Sequence, residues 1–269
     1  MNVWDKYNWN IWDPQKESLP KHVRQYRKIS FCTTCMNRTS DLSETLQVNI
    51  EDNLAYPNVE FVLLDYNSKD GTGQWIKDNM MHYIKKGILV YYRTEDPEFY
   101  NMPHSRNVAF KLATGEIVNS VDADNFIRPG FADYLNRMAE FQTASAVFAK
   151  GKRMMHGRIG FYKDEWLALG GYDEDLVGYG FDDHNMLYRA MLNKCKLMWW
   201  GGDYYARIKT SKKEAIKNYH KDHSNWKKTE GINKKITFDK LEKGEIVANQ
   251  NRKWGQVVVI KNFEEKIIL

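Results

Sequence analysis

The chain has 269 residues, of which 42% are hydrophobic and 14% aromatic, and its net charge at pH 7 is +5. This length and composition are typical of a globular protein with one large core or two small ones. No apolar run approaches the roughly 18 to 20 residues that span a bilayer, and no signal-peptide core is present, which favours a cytoplasmic protein.

An aromatic arm precedes the first predicted strand. Residues 1–27 are polar overall, and Pro14 and Pro20 break any helix there. We interpret this stretch as an arm packed on the domain or on a partner. Its aromatic residues include Trp4, Tyr7, Trp9 and Trp12.

Strands and helices then alternate along the first half of the chain. Strands are predicted over 29–33, 61–64, 88–92 and 117–121, and helices begin near Thr39, Gly71, His104 and Pro129. This β-α order predicts an α/β fold with a mostly parallel sheet flanked by helices and right-handed crossovers.

The second half is more irregular. We predict strands over 146–149, 159–162 and 197–200, and a helix over 182–193. The tail from Ile236 is predicted to form a hairpin in which 246–247 pairs with 257–260.

Two carboxylates follow the strand over 117–121 directly. Asp122 and Asp124 flank Ala123, and where the strand ends the chain turns, so both can reach one cation. Hard oxygen ligands suit Mg²⁺ or Mn²⁺. An isolated Asp-x-Asp is more often a turn, but ligands bind at this edge of an α/β sheet, which favours a metal site.

Polar residues of use to a nucleotide also follow the first two strands. Asp65 can accept the imide N–H of uracil, although Asn67 to Gly71 is equally a good turn sequence. Arg106, near a helix start, can meet a diphosphate or hold the metal-binding carboxylates, with a plain surface charge as the alternative. The strand-end residues are Thr33, Thr34, Cys35, Asn37, Arg38, Asp65, Asn67, Ser68 and Asp70.

The three cysteines, Cys32, Cys35 and Cys195, are too few for a disulfide framework. Cys32-Thr-Thr-Cys35 has the spacing of a redox motif or half a zinc site. Cys32 lies within the first predicted strand, however, and no second cysteine pair exists, so we interpret the pair as structural.

A glycine-rich stretch precedes the predicted helix over 182–193. Its glycines allow the backbone to approach a ligand closely. Asp182 and Asp183 then begin the helix, where the macrodipole favours carboxylates. N-capping accounts for one of them, and the other is a natural general base for a sugar hydroxyl.

Positive charge concentrates in residues 207–253, which contain 14 Lys and Arg against six Asp and Glu. Such a region attracts phosphate-bearing substrates or the anionic face of a membrane, and a solvated surface explains it nearly as well. No recognition-helix or zinc-finger pattern accompanies the charge, so we expect no nucleic-acid partner.

Taken in order, these motifs resemble those of an inverting family 2 glycosyltransferase of the GT-A fold, over residues 28–225. The later part is similar to β-1,4-galactosyltransferases and to the N-acetylgalactosaminyl transfer halves of chondroitin-type polymerases. The resemblance implies a nucleotide-binding half (28–125), an acceptor and catalytic half (126–225) and a C-terminal extension (226–269). It also implies a Rossmann-like sheet, a UDP-sugar donor and Mn²⁺ or Mg²⁺.

The resemblance assigns roles residue by residue. Asp183 would be the base, and Asp182 would bind the acceptor together with Gly171 and Tyr179. Asp124 would bind the metal, and Asp122 would bind the ribose or the metal. His220 would be a further metal ligand, with His223 as second choice. Donor-binding residues would be Thr33, Cys35, Arg38, Asp65, Asn67, Arg106, Asp122 and Ala123. The chain departs from the family in having Asp182 for the usual Glu and Tyr179 for Trp, which leaves the sugar open.

Two other functions are compatible with parts of the pattern. A sugar-1-phosphate nucleotidylyltransferase needs a glycine-rich phosphate loop, and residues 33–38 contain no glycine. A non-catalytic partner of a synthase complex would be favoured if Asp183 or Asp124 were absent.

By analogy we expect bacterial surface-polysaccharide synthesis at the cytoplasmic face of the membrane, with a saccharide or lipid-linked saccharide acceptor. Linkage and oligomeric state stay open.

Overall fold

A computed structural model of the chain describes residues 11–12, 18–142, 146–150, 158–200 and 202–269. Of the predicted N-terminal arm, Trp4, Tyr7, Trp9 and Pro14 lie outside the described residues. The strands are β1 Ile11–Trp12, β2 Ile29–Cys35, β3 Val59–Tyr66, β4 Leu89–Thr94, β5 Ile117–Ser120, β6 Asn125–Phe126, β7 Ala146–Lys150, β8 Ile159–Tyr162, β9 Lys196–Trp200, β10 Ala206–Arg207, β11 Val258–Lys261 and β12 Glu265–Ile268. The helices are α1 Thr39–Glu51, α2 Thr72–Asn79, α3 Met81–Lys85, α4 Met102–Leu112, α5 Phe131–Phe141, α6 Lys163–Ala168, α7 Asp182–Leu192, α8 Lys212–Ile216 and α9 Trp226–Glu242.

One mixed sheet organises the described residues, in the order β1-β9-β7-β8-β5-β2-β3-β4-β11-β12. Its central strands β5, β2, β3 and β4 run parallel to one another. The strand β8 is antiparallel to β5 and to β7, and β11 and β12 extend the other edge as antiparallel strands. The predicted α/β class with a mostly parallel central sheet is confirmed.

Both faces of the central sheet are covered, as the continuous apolar run of β3 predicts. Successive residues of β3 point to opposite faces, so Phe61 and Leu63 join one core cluster, whereas Val62 and Leu64 join the other. The helices α1, α2, α3 and α5 pack on the first face, and α4, α6 and α7 pack on the second. The carboxyl ends of β2, β3 and β5 therefore meet at one edge of a rigid sheet.

The C-terminal segment differs from the prediction. Ile236 lies within α9, and the hairpin is formed by β11 and β12 instead of 246–247 with 257–260. Asn262 and Phe263 adopt positive φ at its turn, which favours these two strands. The residues after α9 bind the domain instead: the Ala248 N–H donates to the Leu169 carbonyl at 2.9 Å.

The three cysteines are free and buried, which agrees with a structural role. Burial raises the pKa of the Cys32 and Cys35 thiols well above their usual range, so neither is poised as a thiolate. Among the described residues, no helix has both the length and the apolar character required to cross a bilayer.

Gly171 is required by packing between the domain and the C-terminal segment. Its φ is +66°, and a Cβ added there would lie 2.6 Å from Asn107 Oδ1 and 2.7 Å from a ring carbon of Trp254. The left-handed conformation alone costs a non-glycine residue about 1 to 2 kcal/mol.

We therefore expect Gly171→Ala to lower the free energy of unfolding in urea by about 2 kcal/mol or more. Gly231→Ala is the matched control, because Gly231 lies within the exposed face of α9 and an added Cβ meets nothing within 4 Å. That change should raise stability by up to about 1 kcal/mol. Equal effects of the two substitutions would contradict this account.

Candidate active site

A cavity of about 480 Å³ opens at the edge of the sheet where the parallel strands end. Its walls come from the ends of β2 and β5, from the start of α7, and from the segment 205–218. Arg106 of α4 and Glu230 of α9 also line it.

A single buried guanidinium joins the acidic groups of this cavity. Arg106, 3% exposed, donates from Nη1 to Asp182 and to Asp183, the latter at 2.5 Å. Its Nη2 donates to Asp122 Oδ1 at 3.2 Å. Arg106 thus ties the first carboxylate of the Asp-x-Asp motif to both acids at the start of α7.

The start of α7 is held in an unusual conformation. Phe181, the residue before the helix, has φ +71°, which is unfavourable for a residue with a side chain. Its ring stacks on His184 at 4.9 Å and contacts Phe238 of α9 at 5.9 Å. This packing stabilises the turn that directs Asp182 and Asp183 towards Arg106.

Asp183 has the protonation behaviour of a general base. Burial raises its pKa to about 7; Arg106 lowers it, whereas Asp182 and Asp122 raise it further. A carboxylate with a pKa near neutrality is matched to proton transfer at physiological pH. Perturbed carboxylates of this kind are typical of functional sites.

Asp122 and Asp124 lie close enough for their charges to repel each other. Asp124 accepts a hydrogen bond from Thr210 Oγ1 at 3.2 Å, and Arg38 Nη2 lies 3.6 Å away. Burial and the charge of Asp122 raise the pKa of Asp124, although Arg38 opposes the shift. A divalent cation would relieve this repulsion, so the donor set fits the Mg²⁺ or Mn²⁺ that the sequence predicts.

His220 is not near these carboxylates in this conformation. Its Nδ1 accepts from the backbone N–H of Asp222 at 3.3 Å, and its ring packs edge-on against Phe99 at 4.8 Å. His223 lies against Gly178. Within the described part of the chain, no three His, Cys, Asp or Glu side chains converge as a metal cluster. The predicted three-ligand set is therefore not assembled here, because local aromatic and backbone contacts hold the His220 ring.

The predicted donor residues divide into two groups. Cys35, Arg38, Arg106, Asp122 and Ala123 line the cavity, whereas Thr33, Asp65 and Asn67 do not.

Asp65 is fully buried, and its carboxylate is already occupied by the protein. Oδ2 accepts from Tyr91 Oη at 2.7 Å and from Arg93 Nη1 at 2.6 Å, and Oδ1 accepts from the Ser68 N–H. Contact with uracil would require these bonds to open. Asn67 has φ +62° and donates to the Pro97 carbonyl, which is the turn role weighed for it.

Of the predicted acceptor residues, Tyr179 and Asp182 line the cavity and Gly171 does not. The Gly171 carbonyl accepts from the buried Arg189, so this glycine serves packing. The Tyr179 hydroxyl accepts from Lys212 Nζ at 2.9 Å, and the same ammonium lies 4.3 Å from the ring centre. Lys212 thus covers one face of this predicted acceptor-binding ring.

Sequence reasoning missed the segment 205–218 as a cavity wall. Tyr205, Arg207, Lys212 and Asn218 line the cavity. Thr210 of this segment also bonds Asp124. The charge surplus that begins at residue 207 was the available signal, but charge alone does not say which residues face inwards.

Comparison with known proteins gives a family match. The family model described as glycosyl transferase family 2 matches residues 30–199. No curated protein matches the sequence.

Several solved structures have a similar fold. A mannosyltransferase from Pyrobaculum calidifontis, in complex with GDP-Man and Mn²⁺, has a TM-score of 0.64 at 18% identity, over 90% of this chain and 69% of that one. Residues 1–349 of S. aureus TarS in complex with UDP-GlcNAc have a TM-score of 0.59 at 16% identity, over 83% of this chain and 74% of that one. Glucosyl-3-phosphoglycerate synthase from Mycobacterium tuberculosis, in complex with Mn²⁺, UDP-Glc and phosphoglyceric acid, has a TM-score of 0.51 at 14% identity, over 69% of this chain and 73% of that one. At these identities the likeness shows the fold.

The role of Arg106 as a charge centre can be tested through stability. Arg106→Met leaves buried carboxylates without their cation, and we expect it to lower the free energy of unfolding by about 3 to 5 kcal/mol at pH 8. The loss should be smaller at pH 5.5, because protonation of Asp183 removes part of the uncompensated charge.

Arg207→Met is the matched control, since Arg207 also lines the cavity but is exposed. It should change stability by no more than about 0.5 kcal/mol. Urea denaturation at both pH values measures the two effects. A pH-independent effect of Arg106→Met would contradict the assignment.

Proposed function

The chain belongs to glycosyl transferase family 2, and we propose that it transfers a hexose or N-acetylhexosamine from a UDP-sugar to a saccharide hydroxyl, with inversion. One observation supports this most strongly. Arg106 holds Asp122, on the nucleotide side of the cavity, and the acids Asp182 and Asp183, at the start of α7, around one space. Donor phosphates and an acceptor hydroxyl would meet there.

The proposed reaction is a single displacement. The acceptor hydroxyl gives its proton to Asp183, its oxygen bonds the anomeric carbon from the face opposite the leaving group, and the bond to the diphosphate oxygen breaks. The raised pKa of Asp183 allows it to take the proton near neutral pH. Asp182, held by the same guanidinium, positions the acceptor.

Asp122 and Asp124 would hold Mn²⁺ or Mg²⁺, which supplies positive charge to the departing diphosphate when bound. Arg38 and Lys212 line the same cavity and add protein cations.

We propose that residues 28–125 form the donor half and 126–225 the acceptor half, with 226–269 as an extension that braces them. Tyr179 would stack on a sugar ring. The acceptor would be a saccharide or lipid-linked saccharide of a bacterial surface polysaccharide. Hydrolysis assays with a panel of UDP-sugars, and with GDP-mannose as comparison, test the donor class. Activity with GDP-mannose alone would overturn the UDP assignment.

Metal dependence gives a direct test. EDTA should abolish transfer, and Mn²⁺ or Mg²⁺ should restore it. Asp124→Asn should raise the Mn²⁺ concentration needed for half activity by about tenfold or more, because a neutral amide is a poorer ligand for a hard cation. Asp133→Asn, on the exposed surface of α5, is the control and should leave that concentration unchanged. Full activity in chelator would refute the metal site.

The base can be separated from its neighbour by kinetics. Asp183→Asn keeps the size of the side chain but cannot take a proton, so kcat should fall by about 10² to 10⁴ while donor binding holds. Asp182→Asn should act mainly through the acceptor KM.

The pH profile supplies a second measurement of the same residue. Because a base must be ionised and the pKa of Asp183 is raised to about 7, kcat/KM should rise about tenfold per pH unit below pH 7 and level off above it. The residual activity of Asp183→Asn should lack this rise. If Asp183→Asn turned over normally and Asp182→Asn did not, the two roles would be exchanged.

A further inference from the structure

We propose that Arg158 is an anion-binding residue of this cavity, which donates hydrogen bonds to an oxyanion of the bound substrate. The inference rests on the proposed function, because it assigns part of the donor or acceptor to this side chain. The oxyanion is either the diphosphate of the donor or a carboxylate on a transferred or accepting sugar.

Arg158 is buried without an acidic partner. It is 1% exposed, and in the part of the chain that the structure describes its three guanidinium nitrogens form no ion pair and no hydrogen bond of normal geometry; a contact with the Tyr205 hydroxyl gives it some support. Arg189, equally buried, bonds Asn185 and the carbonyls of Leu169 and Gly171. Buried guanidinium groups are normally satisfied in this way, so Arg158 is the exception that requires a reason.

The location of Arg158 connects it to the cavity. It directly precedes β8, whose register places Gly160 opposite Asn119 near the carboxyl end of β5. The Ile159 N–H donates to Ser120 Oγ at 3.4 Å, so Arg158 lies at the edge of the sheet beside the loop of Asp122. Arg158 does not itself line the cavity, but its guanidinium carbon lies 3.9 Å from the ring centre of Tyr205, which does.

The nearby carboxylates do not satisfy this charge. Asp122 is paired with Arg106, and Asp124 lies 3.6 Å from Arg38 and bonds Thr210. Burial lowers the pKa of Arg158 to about 10, and Asp122, Tyr205 and Asp124 oppose that shift. The ring face of Tyr205 attracts the guanidinium. It cannot accept hydrogen bonds from the five N–H groups, because these point outwards in the guanidinium plane.

A planar fork of donors suits a phosphate or carboxylate, which it can bind with two parallel hydrogen bonds, and here the fork is one side chain away from the cavity. The ring of Tyr205 would hold the group in place until the oxyanion arrives. Arg158 therefore has the features of a binding residue that is unsatisfied in the free protein.

This assignment predicts opposite effects on stability and on binding. Arg158→Met removes a buried, unpaired charge, so the melting temperature should stay the same or rise. Arg189→Met, the control, breaks three satisfied hydrogen bonds and should lower the melting temperature without changing the Kd of the folded protein for UDP. Arg158→Lys retains the charge but loses the planar fork and should weaken binding by an intermediate factor.

Calorimetric titration in the presence of Mn²⁺ identifies the oxyanion. If Arg158 binds the diphosphate, Arg158→Met should weaken the binding of UDP and of UDP-glucose about tenfold or more and leave the binding of uridine unchanged. If it binds a sugar carboxylate, the substitution should weaken only the binding of UDP-glucuronate by that factor. Either result supports the proposal.

Unchanged affinities of Arg158→Met for all four compounds would overturn it. So would unfolding of both Arg158→Met and Arg158→Lys, because the side chain would then be structural. Failure of the wild-type protein to bind UDP or a UDP-sugar contradicts the proposed donor itself, and is thereby distinguished from a failure that concerns Arg158 alone.

Discussion

The site depends on one shared cation, the buried guanidinium of Arg106. Its two terminal nitrogens reach three carboxylates that come from two separate parts of the chain. Without that charge, Asp182 and Asp183 would be buried beside each other and repel, and the start of α7 would not be held at the edge of the sheet. The same contacts therefore position the groups and maintain their charge.

This arrangement requires a strained backbone conformation directly before α7. Phe181 adopts a left-handed conformation directly before the two acids, and Gly178 and Gly180 adopt positive φ just ahead of it. Packing of Phe181 on His184 and Phe238 offsets the unfavourable conformation. Since Phe238 belongs to α9, the C-terminal extension contributes to the geometry of the site as well as to the core.

Some buried charges in and beside the cavity are incompletely compensated, and they belong to residues to which we assign roles in binding or catalysis. Burial raises the pKa of Asp183 and of Asp124, each beside another carboxylate. Arg158 has the converse problem, a buried cation without an ion-pair partner among the described residues. Burial of each of these charges costs stability, so each is explained best by what binds in the cavity.

The sequence by itself determined the α/β class, the order of the central strands and helices, and the Asp-x-Asp, Arg106 and Asp182-Asp183 groups. These follow from apolar periodicity and from residues adjacent in the chain. Only the tertiary structure decided which groups meet. Arg106 forms hydrogen bonds to residues 16, 76 and 77 positions away in the chain. The Asp65 carboxylate accepts hydrogen bonds from Tyr91 and Arg93 of a neighbouring strand. Partner choice of this kind depends on competition between distant side chains for one buried space, and no local pattern records that competition.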